Sequence, residues 1–154
     1  MKQTYFKIPG WFNYSETYDA IVDEISDDAK ILEIGSFMGR STHYLATALH
    51  NADKSNVKIY ALDTFEGSSE KFEDGFFDYI MVDGAHEHEA VMDDIENWWP
   101  KLKENGVMFG DDFYLESVAQ AVKISSEKVK SIGYSVNGST ERTWFMSKNG
   151  KHDR

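Results

Sequence analysis

The chain has 154 residues, the size of one domain, and its 41% hydrophobic and 14% aromatic content suffices for a packed core. A net charge of −11, spread along the chain, excludes nucleic acid as the main partner because phosphate binding needs a basic face, and the absence of cysteine excludes disulfides, thiolate metal sites and cysteine nucleophiles. The start MKQTYFKIPGWF lacks the features of a signal peptide and no apolar run approaches the ~20 residues of a membrane span, so a cytoplasmic location with no membrane partner is expected.

Residues 1–14, with Pro9-Gly10, read as an irregular N-terminal arm. Ser15 is the expected N-cap of a first helix whose core positions are Tyr18, Ile21, Val22 and Ile25, closed by Asp27-Asp28. Lys30 to Ile34 is a short strand that ends at Gly35. A second helix opens at Gly39-Arg40-Ser41-Thr42 and packs through Tyr44, Leu45, Ala48 and Leu49. Val57 to Leu62 and Phe77 to Val82 are strands that run directly into Asp63 and Asp83.

Glu87 to Lys103 is expected to form one helix, with Val91, Ile95, Trp98 and Leu102 on a single stripe and Asn105-Gly106 as its stop. Val107 to Phe109 is a buried strand ending in Gly110-Asp111-Asp112. A last helix covers Ser117 to Val129. Tyr134 to Val136 and Thr143 to Met146 then form an antiparallel pair around Asn137-Gly138, and residues 148–154 are expected to be a disordered tail.

Strands alternating with helices imply one α/β domain over residues 1–154, with a Rossmann-like, mostly parallel sheet and an antiparallel C-terminal hairpin. Ligands of such sheets bind at the carboxyl ends of the strands. Three strands finish there in acid, at Asp63, Asp83 and Asp111-Asp112, which marks that edge as the working one.

Glu33-Ile34-Gly35-Ser36-Phe37-Met38-Gly39 joins a strand, a glycine turn and a helix N-terminus, a combination that brings backbone donors close to a ligand. A dinucleotide site prefers G-x-G-x-x-G, whereas Ser36, Phe37 and Met38 between these glycines leave less room for a diphosphate. S-adenosylmethionine has no phosphate and brings a cationic amine and sulfonium, which Glu33 suits; the plain alternative is a tight turn. Asp63 stands where nucleotide folds place a ribose-binding carboxylate, or else caps the turn that follows. Asp83, Asp111 and Asp112 at two neighbouring strand tips form a candidate divalent-cation set, against a reading as caps and solvated acids. His86, three residues beyond Asp83, is the candidate general base, with an ordinary pKa near neutrality.

Together, ILEIGSFMGRST, YALDTFEG, the segment FDYIMVDGAHEHEAVMDDIENWWPKLKENGVMFGDDFY and the following VAQAVK resemble class I S-adenosylmethionine-dependent methyltransferases. The branch they are most similar to contains macrocin-type O-methyltransferases and cephalosporin hydroxylase-like proteins, and the resemblance covers roughly residues 9 to 147. It implies cofactor-binding roles for Glu33, Gly35, Ser36, Gly39, Ser41, Asp63, Thr64, Phe65 and Asp83. It also implies magnesium at Asp83, Asp111 and Asp112, catalytic roles for His86 and Asp83, and an arm bearing Trp11, Phe12 and Tyr14 over the site. The family usually places a further helix and strand between the second strand and that of Phe77. Here only Phe65 to Phe76 join Thr64 to Phe77, a length that reaches roughly 40 Å and can still cross over. The third strand of the family sheet is therefore expected to be missing, and the edge left at Val57 to Leu62 to be covered by that loop or by a second subunit in a homodimer.

The expected activity is methyl transfer from S-adenosylmethionine to a hydroxyl of a small molecule or glycan, with or without magnesium. The rivals are a protein that binds S-adenosylmethionine or its product without turnover, and a nicotinamide-dependent oxidoreductase.

Overall fold

A computed structural model of the chain describes residues 1–63, 72–137 and 142–148. Ten regular elements follow in order: α1 (Ser15–Glu24), β1 (Lys30–Ile34), α2 (Arg40–Asn51), β2 (Lys58–Leu62), β3 (Phe77–Val82), α3 (His88–Trp98), β4 (Leu102–Gly110), α4 (Glu116–Lys128), β5 (Tyr134–Asn137) and β6 (Thr143–Ser147). The strands form one sheet in the order β2-β1-β3-β4-β6-β5. The first four are parallel, and β6 runs antiparallel to both β4 and β5. The sheet is the one the sequence implies, and β2 stands at its edge among the described residues.

Both faces of the sheet are covered, and this explains why its central strands read as unbroken apolar runs. Successive residues alternate between two cores. Leu32, Ile80, Val82 and Met108 pack with Val91 and Ile95 of α3 and Val118 and Val122 of α4. Ile31, Met81 and Phe109 point the other way, into Tyr18, Ile21 and Val22 of α1 and Leu45 and Leu49 of α2. A helical layer on each side removes the sheet from water while its tips stay open. No helix among the described residues is long and apolar enough to cross a membrane.

Four expectations need correction in detail. Ser15 is the first residue of α1; Tyr14 occupies the N-cap and makes no side-chain capping bond. The third helix stops at Trp98 rather than Lys103, because Pro100 sits in a short 3-10 turn over Trp99–Lys101 and Leu102 already belongs to β4. Asn105-Gly106 ends no helix; it lies in an irregularity of β4, where Phe77 pairs with Leu102 but Tyr79 with Val107 and Asn105 has φ +65°. Lys148, expected in the tail, donates from Nζ to the Leu102 carbonyl at 2.6 Å. Thr64, the first part of the Phe65 to Phe76 connection, Gly138 and residues 149–154 lie outside the described residues. The last part of that connection packs Phe72 and Phe76 on Tyr60 of β2, with ring centroids 5.7 and 5.6 Å apart.

Gly110 shows how tightly the tip of β4 is built. It pairs with Val82 on one side and Trp144 on the other, and a Cβ there would come within 2.5 Å of both the Val82 carbonyl oxygen and the Trp144 indole. Neither can retreat, since one is backbone and the other is a fully buried ring. Gly110→Ala should therefore cost about 1–3 kcal/mol, the range for overpacking a core. An unchanged denaturant midpoint would show that the sheet can open at this point.

Candidate active site

The carboxyl ends of β1 to β4 and the N-terminal arm enclose a cavity of about 980 Å³. Its floor is the glycine turn. Gly35 leaves β1 with φ +88°, and a Cβ there would lie 1.9 Å from the Asp83 carbonyl oxygen, so glycine alone lets the end of β1 pass the end of β3. The Gly35 N–H donates to the Leu62 carbonyl at 2.8 Å. Phe37, at φ +47°, donates its N–H to Asp63 Oδ2 at 2.5 Å. The turn after β1 and the acid after β2 are thereby fastened together at the cavity wall.

Of the residues expected to hold the cofactor, Gly35, Ser36, Ser41, Asp63 and Asp83 line the cavity. Thr64 and Phe65 lie outside the described residues. Gly39 takes φ +80° as the N-cap of α2 and is not part of the lining. Glu33 is placed differently from the expectation that it faces the cavity. It is fully buried, and its carboxyl accepts from Tyr18 Oη at 2.5 Å, Ser41 Oγ at 3.0 Å and Thr42 Oγ1 at 2.5 Å. Glu33 thus braces β1 against α1 and α2 from behind the turn.

The arm supplies Gly10, Trp11, Phe12, Asn13 and Tyr14 to the lining. The Arg40 guanidinium donates to the Gly10 carbonyl and so ties the arm to α2. Tyr14 Oη donates to Asp83 Oδ2 at 2.9 Å. Trp11 stays 84% exposed, with its ring 6.2 Å from that of Phe37.

On the opposite side stands the acid group. Asp83, His86 and Asp112 bring one ligand-type atom each within 4.8 Å of one another. His86 Nε2 is 2.9 Å from Asp112 Oδ2 and 4.0 Å from Asp83 Oδ1. Asp111 is held apart: its Oδ2 accepts from Arg142 Nε at 3.0 Å, while its Oδ1 is buried without a hydrogen-bond partner. Arg142 also reaches Asp112 Oδ1 at 3.0 Å and lies over the Tyr114 ring at 5.0 Å. Of the three aspartates expected to hold a cation, Asp83 and Asp112 fall in this group with His86, and Asp111 does not.

The contacts of Tyr14 and Arg142 are not legible in the residue pattern, and that of Arg142 follows from the strand register. The antiparallel ladder pairs Gly110 with Trp144, so two residues further on each strand Arg142 falls opposite Asp112, and the Phe113 N–H does donate to the Arg142 carbonyl at 2.8 Å.

Burial pushes the Asp83 carboxyl up to about 7; the nearby Asp111, Asp112 and Glu33 add to this and the Tyr14 hydrogen bond opposes it. Burial likewise raises Asp111, against the pull of Arg142. A carboxyl raised on folding contributes its full stability below its unfolded value of about 3.9 and loses it as pH climbs through about 7. In chelator and without cofactor, Asp83→Asn should therefore be more stable than wild type by about 1–3 kcal/mol at pH 8, and by much less near pH 4. Thermal midpoints at the two pH values check this; an equal gap at both would show a solvated carboxyl.

Residues 64–113, which carry Asp83, His86, Asp111 and Asp112, match the family model described as a methyltransferase domain. No curated protein matches the chain. Among solved structures it is similar to an S-adenosylmethionine-dependent O-methyltransferase from Thermotoga maritima, with 15% identity, a TM-score of 0.65, and 95% of this chain and 69% of that one covered. It is also similar to the MycE methyltransferase of the mycinamycin biosynthetic pathway, solved with Mg and S-adenosylhomocysteine, at 16% identity and a TM-score of 0.66; 93% of this chain aligns, and it spans about half (52%) of that protein. An O-methyltransferase from Bacillus cereus in complex with S-adenosylhomocysteine aligns over 92% of this chain and 84% of its own, at 15% identity and a TM-score of 0.54. The chain thus has the fold of these methyltransferases, and its central third matches a methyltransferase-domain model.

Proposed function

We propose that the chain transfers a methyl group from S-adenosylmethionine to a hydroxyl oxygen of a small molecule or glycan, assisted by a divalent cation. The observation that carries this reading is the meeting, in one cavity, of the Gly35–Asp63 wall and the Asp83–His86–Asp112 group.

The residues fit both groups. Asp63 at the tip of β2 suits ribose hydroxyls, and Ser36 and Phe37 follow Gly35 in the wall where a dinucleotide turn would bring a second glycine. The carboxylates of Asp83 and Asp112 suit a divalent cation and leave the His86 imidazole beside it as the base. S-adenosylmethionine supplies an electrophilic methyl group, and a cation here would lower the pKa of an acceptor hydroxyl and orient it.

The chain's own work is positioning and proton removal. Tyr14 fixes Asp83, and His86, 49% exposed beside Asp112, is placed to take the acceptor's proton as its oxygen bonds to the methyl carbon and the carbon–sulfur bond breaks. Trp11 and Phe12 of the arm line the same cavity and give it an apolar side.

Calorimetric titration with S-adenosylhomocysteine should show binding that Asp63→Ala weakens by about 1.5–3 kcal/mol, through loss of charge-assisted hydrogen bonds. Equal affinity in the two proteins would remove Asp63 from the cofactor site. Asp112→Asn should weaken magnesium or manganese binding and leave S-adenosylhomocysteine affinity nearly unchanged. His86→Ala should lower turnover by roughly 10²–10⁴-fold, the span for a general base. Full activity in chelator would overturn the cation's part in this reading.

A further inference from the structure

We propose that Arg142 is a positioning residue for the acid group: it holds Asp112 with one carboxylate oxygen toward His86 and withdraws Asp111 from the cation-facing set. The inference rests on the cation reading above but assigns a role to a residue from outside the methyltransferase-domain stretch.

Asp112 has φ +59°, a left-handed conformation that an aspartate keeps only where its surroundings impose it. Arg142 imposes it from two directions. Its carbonyl accepts the N–H of Phe113, the residue after Asp112, and its guanidinium takes Asp112 Oδ1 at 3.0 Å. With Oδ1 engaged, Oδ2 is left for His86 at 2.9 Å. The same guanidinium binds Asp111 Oδ2 through Nε and Nη2, at 3.0 and 2.9 Å, and so neutralises the carboxyl nearest the core. Nη2 reaches both carboxylates and the planar fork adds Nε to the Asp111 contact, an arrangement whose fixed geometry a lysine ammonium lacks. Tyr114 under the guanidinium limits its movement.

The test uses the full chain with Arg142→Gln and Arg142→Lys. In ligand-free crystals, wild type should show His86 Nε2 within hydrogen-bond distance of Asp112, and Arg142→Gln should open that contact. Manganese affinity, followed by electron paramagnetic resonance, should fall at least tenfold in Arg142→Gln and by less in Arg142→Lys, while S-adenosylhomocysteine affinity stays within twofold. A His86–Asp112 contact that persists in Arg142→Gln overturns the proposal, as does manganese binding that is unchanged or tighter. If Arg142→Gln does not fold, Arg142→Lys decides: an acid group and manganese affinity identical to wild type overturn it. If wild type binds no manganese, the cation reading fails on its own, and the ligand-free crystals still decide the role of Arg142.

Discussion

The site depends first on a contact between two backbones. Gly35 passes so close to the Asp83 carbonyl that no side chain fits between them, and this fixes how near the tips of β1 and β3 can lie. Everything functional is arranged around that junction. On one side the turn continues to Phe37, whose N–H engages Asp63 and joins the tip of β2 to the same wall. On the other, Asp83 leads into His86 and α3, and β4 delivers Asp111 and Asp112 in parallel register beside it. In the proposed reaction, a wider junction would separate the Asp63 wall from the Asp83–His86–Asp112 group, and the short reach needed for methyl transfer would be lost.

Negative charge is the second organising feature. Asp63, Asp83, Asp93, Asp94, Asp111 and Asp112 all line one cavity, against Arg40 and Arg142. The protein manages this crowding in three ways. It gives Asp83 a hydroxyl donor from Tyr14 and lets its carboxyl titrate near neutrality. It pairs Asp111 with a guanidinium, and it sets Asp112 between that guanidinium and an imidazole. Asp94, raised by burial and by Asp93 to about 6, belongs to the same economy of partly neutralised acids.

The architecture was legible because the chain states it twice, once as apolar strands and once as helices of matching length. Strands buried on both faces appear as continuous runs such as Phe77–Val82, and three of the four parallel strands lead into aspartates, Asp63, Asp83 and Asp111. What escaped depended on tertiary register. Which of Asp111 and Asp112 stands with His86 turns on a left-handed residue that adjacent identical side chains do not advertise. Arg142 acts on residues 30 and 31 positions away, through a strand pairing that periodicity alone does not align. Glu33 carried the right residue type at the right strand end, yet its carboxyl turns inward, because Tyr18, Ser41 and Thr42 offer hydroxyls there. Pro100 is the local sign that separates Leu102 from the helical stripe it otherwise extends.

The inward turn of Glu33 also bears on how the molecule comes apart. Its hydroxyl partners belong to α1 and α2, while the acid itself lies in the central strand β1. If α1 detaches alone, a buried carboxyl oxygen loses its donor; if α2 detaches, the other oxygen loses two. Partial opening on that face is therefore costlier than the apolar area alone implies, and either helix tends to leave together with the other. The buried acid is thus a brace shared by α1 and α2, and the amides of both helices are expected to exchange slowly with solvent.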